Sequence, residues 1–367
     1  MKKRTYNLIA AALFITVLFS FSVFHLTSAA TLAGRGDLPA DYDGDTFESD
    51  SLFGRFYRGV YQNKSTLQTV RRASYDLFGA VNTDRVIVGK NGFLFPVEDE
   101  NTGYDYIADY LGLSAFTEEE EQAILSTLLT RQALYRERGV EYMLVVLPAN
   151  QTLYGEYMPD YLNGGETRLA HLTATLQDNG FDYCMDVTDA LREAKEDGVL
   201  CDNTENALNA LGMYYTYRAV LGRFVTSTYR ENNVVEREHV TFYQSNTAGR
   251  ELARRAGLDG ILQNRTVLLR NDSYYSYRVL FNTGFAARTA RLPEDYSTLP
   301  PDSMSVLLQF TNSRDRLLIE PYFSNTFDYV TYQTDLSDNE DVYGKASPDV
   351  VIQFIRENEL SLLLPTS

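Results

Sequence analysis

Tryptophan is absent from this 367-residue sequence, cysteine occurs twice and histidine three times. Without indole rings, any platform for stacking against a sugar would have to be built from the 27 tyrosines or 20 phenylalanines. Two cysteines exclude a small disulfide-stapled scaffold. With no histidine close to either in sequence, they also fall short of a tetrahedral metal site, so no metal and no cofactor is expected. Histidine scarcity narrows the search for a proton acceptor, because His25 lies in the N-terminal segment and only His171 and His239 remain. Basic side chains are in deficit as well, 33 against 50 acidic, for a formal charge of -17. Residues 1–30 hold only Lys2, Lys3 and Arg4, so the rest of the chain carries 30 basic and 50 acidic side chains. A surface of that sign repels nucleic acid, which is not expected as a partner, and otherwise serves solubility.

What is present starts with an export signal. Lys2-Lys3-Arg4 precedes a 17-residue apolar run from Leu8 to Phe24, and Leu26-Thr27-Ser28-Ala29-Ala30 then offers the small residues of a signal-peptidase site. The run is at the lower edge for spanning a bilayer of ~30 Å, so a cleaved signal peptide and an uncleaved membrane anchor both fit residues 1–30. Either places the rest of the chain outside the cytoplasm, anchored by its N-terminus or secreted. Residues 31–52, rich in Gly, Asp and Ser, read as a flexible acidic tether. Residues 53–367, drawn from a chain that is 44% apolar, are long enough to bury a substantial core.

Within that domain, Val86–Val88 and Phe93–Phe95 flank Asn91-Gly92 as two short strands around a turn. From there helix and strand alternate. Thr117 and Glu120 form a capping box, four glutamates occupy the first turn, and Ile124, Leu125, Leu128, Leu129 and Leu134 make one apolar face that Gly139 ends. Tyr142–Leu147 is an unbroken apolar run suited to a parallel sheet covered on both sides. Helix 166–177, strand 181–187, helix 188–196 and strand 199–201 follow, and repeated strand-helix-strand units predict an α/β, doubly wound, mainly parallel sheet. Strands near 265–281, where Tyr274, Tyr275 and Tyr277 cluster, and near 303–311 suggest a β-rich insertion over about 265–312. Cys184 and Cys201 fall on neighbouring predicted strands with 16 residues between them, and a disulfide joining them is expected outside the cytoplasm.

The stretch Val199–Arg218, VLCDNTENALNALGMYYTYR, resembles a family of extracytoplasmic proteins named for the tetrad Asp-His-His-Trp (DHHW). In that family the tetrad is followed by a small polar residue, a Gly and an aromatic-rich helix, which Asn209-Ala210-Leu211-Gly212 and Met213–Tyr217 reproduce. The tetrad itself reads Glu205, Asn206, Ala207 and Leu208 here. Gly92-Phe93-Leu94-Phe95 is similar to the hairpin that opens the family's domain, and Leu147–Pro159 to a later segment in which Asn150 replaces a lysine. Gly249–Leu258 and Pro348–Ile352 fit further family elements, so the resemblance covers residues 85–225 well and 245–358 in patches. It implies an SGNH-like hydrolase fold related to alginate O-acetyltransferase proteins.

In that chemistry an imidazole deprotonates a serine hydroxyl, a carboxylate orients the imidazole and backbone amides hold the oxyanion. Ala207 stands where the imidazole belongs, and a methyl group accepts no proton. The segment Glu205, Asn206, Ala207, Leu208 and Asn209 is therefore a degenerate motif. Ser273, which follows strand Val267–Arg270, and Ser324, which precedes Phe327-x-x-Val330, are alternative places for a nucleophile, with His239 as a relocated base. His171, inside a predicted helix, reads as packing or surface. Asn150, Tyr154, Glu205 and Asn209 would line a ligand groove. The resemblance implies a non-catalytic protein that binds an envelope glycan, or that assists a membrane-bound O-acyltransferase in polysaccharide O-acetylation. An active serine esterase or O-acetyltransferase, and a structural envelope protein with a filled pocket, are the alternatives.

Overall fold

The α/β architecture rests on five strands, of which all but β4 are buried along most of their length: β3 (Glu141–Leu147), β4 (Cys184–Asp186), β7 (Ser305–Phe310), β8 (Tyr329–Gln333) and β9 (Val350–Arg356). The computed structural model describes residues 85–224, 234–270 and 304–365, except 328, 335 and 337–339, together with Arg72 and Tyr75. All of these lie in one compact unit, Gln68–Ser367. The five strands form a wholly parallel sheet in the order β4-β3-β9-β7-β8. Two antiparallel pairs stand apart from it: β1 (Val86–Val88) with β2 (Leu94–Pro96), and β5 (Phe242–Ala248) with β6 (Gln263–Leu269).

Helices cover both faces of the sheet. On one lie α2 (Glu118–Glu137) and α4 (Arg168–Asp178), whose Ile124, Leu125, Leu128, Leu169, Leu172 and Leu176 pack with Tyr142, Leu144, Val146 and Val351. The Thr117 capping box forms as predicted, but Leu129 is 43% exposed and Tyr135 completes the buried stripe in its place. The opposite face carries α5 (Thr188–Glu193), α6 (Ala210–Phe224) and α8 (Ser313–Thr326), packed on Met143, Val145, Val306, Leu308 and Ile352. Four shorter helices, α1 (Tyr106–Tyr110), α3 (Asn150–Leu153), α7 (Glu251–Arg255) and α9 (Glu340–Ala346), complete the described residues.

A polar chain crosses the buried sheet. Gln309 donates to Gln333 at 3.2 Å, Gln353 donates to Gln309 at 2.5 Å, and Arg131 and Tyr142 donate to Gln353 Oε1 at 2.9 and 2.6 Å. Gln309 is the direct cross-strand partner of both other glutamines, so the chain pins the register of β8, β7 and β9.

Three sequence expectations change. Ser305–Phe310, assigned to a β-rich insertion, is a central strand with every residue buried, and residues 271–303 lie outside the described residues. Val199–Cys201 joins no sheet and makes only a bridge from Cys201 to Leu208. Cys184 and Cys201 are both buried free thiols: Cys184 packs with the α2/α4 layer and Cys201 with the α6/α8 layer, so the sheet separates them. Residues 1–52 lie outside the described residues, among which no helix is long and apolar enough to cross a membrane.

Candidate functional site

The chain leaves β3 toward β4 but leaves β7 toward β8, and β9 sits between β3 and β7. Ligands of open α/β sheets bind in the crevice beyond the carboxyl ends of strands at such a reversal. Leu147, Pro148 and Ala149 border it after β3, Arg356 and Asn358 at the end of β9, and Asp315 in the first turn of α8. Asn206, Ala207 and Leu208 close the remaining side, so the degenerate motif lies where the strand ends converge. The cavity they enclose measures only about 10 Å³. That holds one water at most.

Charged side chains explain the filling. Arg356 grips Asp315 with two hydrogen bonds, Nε to Oδ2 at 2.8 Å and Nη2 to Oδ1 at 2.9 Å. Burial opposes ionisation of Asp315, but the Arg356 guanidinium outweighs it and holds the carboxyl below the usual range. Arg314 Nη2 donates to Asp202 at 2.5 Å, and its Nη1 lies 2.9 Å from Glu205 Oε1 without hydrogen-bond alignment. A guanidinium, permanently protonated, therefore holds the acidic groups beside Ala207, and it cannot serve as a base. Glu357 follows β9 and accepts from Ala149 N at 2.7 Å and Thr152 Oγ1 at 3.0 Å. Burial pushes its carboxyl up to about 8 despite those two donors, with nearby Asp109 adding to the rise.

The residues singled out as ligand-binding are mostly engaged in holding the loop. Asn150 is fully buried and its Nδ2 donates to the carbonyls of Asp202 and Glu205 at 3.0 and 2.9 Å. Asn209 caps α6 by accepting from the amides of Leu211 and Gly212. Gly212 is required there, since a Cβ would lie 2.3 Å from the Leu200 carbonyl oxygen. Tyr154 is buried against Phe93, and its hydroxyl accepts from Leu200 N at 2.9 Å. Glu205 is the partly exposed one, paired with Arg314 and 3.9 Å from Arg250.

Of the two serines proposed from sequence, only Ser324 falls among the described residues, and it sits away from the crevice. Ser324 lies in the last turn of α8 and shares a hydrogen bond of 2.6 Å with Tyr332 Oη. Ser273 lies outside the described residues. His239 is exposed in the turn that leads into β5, and His171 Nδ1 meets the buried Glu121 carboxylate at 2.6 Å, bracing α4 on α2. The position a strand-end nucleophile would occupy belongs to Ser313, exposed at the start of α8 beyond β7 and without a hydrogen-bond partner among the described residues. Reading β7 as an insertion hid it; the apolar run Val306-Leu307-Leu308 shortly before Thr311-Asn312-Ser313 was the available signal.

No protein-family model and no curated protein matches the chain. Among solved structures, PatB1 from Bacillus cereus, determined with a sulfonyl adduct, superposes with a TM-score of 0.54 over 77% of this chain and 98% of that one, at 9% identity. The chain has the PatB1 fold. Other similar structures are the O-acetyltransferase domain of AlgJ from Pseudomonas putida and a DHHW family protein from Eubacterium siraeum. For AlgJ the identity is 14% and the TM-score 0.45, over 76% of this chain and 92% of that one. For the DHHW protein they are 11% and 0.46, over 75% and 95%. The described part of the PatB1 fold is a central parallel sheet between helical layers, the architecture expected of an SGNH-like protein.

Proposed function

We propose that this chain is a non-catalytic, extracytoplasmic protein of SGNH/DHHW type that binds an envelope glycan or assists a membrane-bound O-acyltransferase during polysaccharide O-acetylation. One observation carries the non-catalytic part: the crevice bordered by Ala207 is closed to about 10 Å³, with Asp315 on its wall already gripped by Arg356. A site without a proton acceptor or room for an acyl group cannot activate a serine. The acetylation setting and the acyltransferase partner come from the tetrad resemblance, and the PatB1 fold supports the scaffold.

Ser313 favours a second reading, a residual serine esterase, because it opens a 14-residue helix directly after a central strand. Hydrolysis of p-nitrophenyl acetate by the full chain separates the two, with Ser313→Ala, Ser273→Ala and Ser324→Ala as controls. The non-catalytic reading expects the uncatalysed rate in all four proteins. Turnover that Ser313→Ala or Ser273→Ala abolishes overturns it.

A further inference from the structure

Next to the closed crevice, beyond the ends of β3 and β4, a second and much larger groove of about 550 Å³ is open. Its volume falls within the range of small-ligand sites, about 300–1,000 Å³. Gln151 and Thr152 of α3 line one side, Asp186 and Thr188 the β4 end, and Tyr110 and Ala170 the other wall. Gln151 is 2% exposed, and neither its amide nitrogen nor its amide oxygen has a hydrogen-bond partner. Burying both ends of an amide unpaired costs on the order of 1–3 kcal/mol for each group, and a ligand that offers a donor and an acceptor together would relieve it.

We propose that this groove binds a neutral saccharide, with Gln151 as its central polar contact. The inference rests on the glycan-binding reading above and gives that reading a location. The groove's two cations are already neutralised, Lys195 by Glu156 at 2.7 Å and Arg192 by Asp189 at 2.9 Å. Glu156, Glu166 and Asp186 outnumber them, so the lining disfavours uronates and phosphates. What remains suits hydroxyl groups. Thr188 donates from its amide and its hydroxyl to Asp186 Oδ1, which leaves Oδ2 to accept from a ligand. Tyr110 lies against Gly155 and Gly164 and supplies an aromatic surface of the kind that covers the apolar face of a sugar ring.

Isothermal titration of the full chain with chitotetraose, cellotetraose, mannotetraose and tetragalacturonate tests this, using Gln151→Leu, Ala170→Arg and Glu205→Ala variants. Gln151→Leu replaces an unpaired amide by an apolar group of similar size and is expected to leave thermal unfolding unchanged or raise it. Ala170 is exposed on α4, so Ala170→Arg obstructs the groove without disturbing the core. The expected result is binding of at least one neutral tetrasaccharide, weakened tenfold or more by Gln151→Leu and by Ala170→Arg but not by Glu205→Ala. Neutral binding that survives both groove variants and falls with Glu205→Ala overturns the groove while sparing the glycan-binding reading. Binding of tetragalacturonate alone overturns the neutral class. Binding of none of the four overturns the groove, whereas acetyl-ester turnover is what would overturn the non-catalytic reading.

Discussion

Arg314 in the first turn of α8 donates to the Asp202 carboxylate at 2.5 Å, joining residues 112 positions apart at the crevice. Asp202 is 1% exposed while the Arg314 side chain is 28% exposed. The carboxylate therefore depends on the guanidinium for its burial more than the reverse. Arg314→Ala should leave a buried carboxylate unpaired and lower stability by roughly 1–3 kcal/mol. Urea unfolding of Arg314→Ala and of the Arg314→Ala/Asp202→Asn double variant checks this, with the second substitution recovering part of the loss.

Asp315 and Arg356 set the acid limit. The native carboxyl of Asp315 ionises below its unfolded value, so its contribution is complete above the ordinary carboxylate range and is lost as pH falls through the depressed native value. Asp315→Ala should cost about 3 kcal/mol, the low end for a buried pair because 26% of the Arg356 side chain reaches solvent. Its unfolding midpoint should also depend less on pH below the ordinary carboxylate range.

Glu357 acts with the opposite sign. Its carboxyl titrates near 8 in the folded chain and near 4.5 when unfolded, so the folded state holds the extra proton between those values. Stability from this group is complete below the unfolded value and is lost as pH rises through about 8. Thermal melts from pH 5 to pH 9 should show a falling midpoint, and Glu357→Gln should flatten that slope.

Cys184 and Cys201 should titrate as two free thiols per chain in denaturant. Burial pushes the Cys184 thiol up to about 12 and raises Cys201 as well, so both should resist alkylation in the native protein. Mass spectrometry after iodoacetamide, with and without denaturant, reads both states. A bridged species in the untreated protein would contradict the layer assignment.

The elements legible in sequence were those whose local chemistry is complete. The Thr117/Glu120 box fixed the start of α2, and Asn91 (φ 55°) with Gly92 (φ 73°) made the hairpin turn. The apolar run after Glu141 announced a buried parallel strand, and the residues after Pro348, read only as similar to the family's last strand, form β9. What escaped depended on distant partners. Cys184 and Cys201 are near in sequence, but which layer each faces follows from the packing of α2, α4 and α6. The short segment Ser305–Phe310 carries no local sign of its place in the sheet, and only its pairing with β8 and β9 makes it central. Ala207 signalled a missing base, yet the pairing of Arg314 with Asp202 and Glu205 next to that motif could not be read from residues more than 100 positions upstream.

The placement of β9 between β3 and β7 has a bearing on the order in which the sheet can assemble. Its seven-residue pairing with β3 spans about 210 positions, and without it the sheet is two separate halves, β4-β3 and β7-β8. Long-range parallel pairing is slow to form because chain closure must precede any contact it rewards. Neither half can zip to the other until residues 350–356 are in place, so closure of the sheet waits on β9, and the strand edges of β3 and β7 stay unpaired until then.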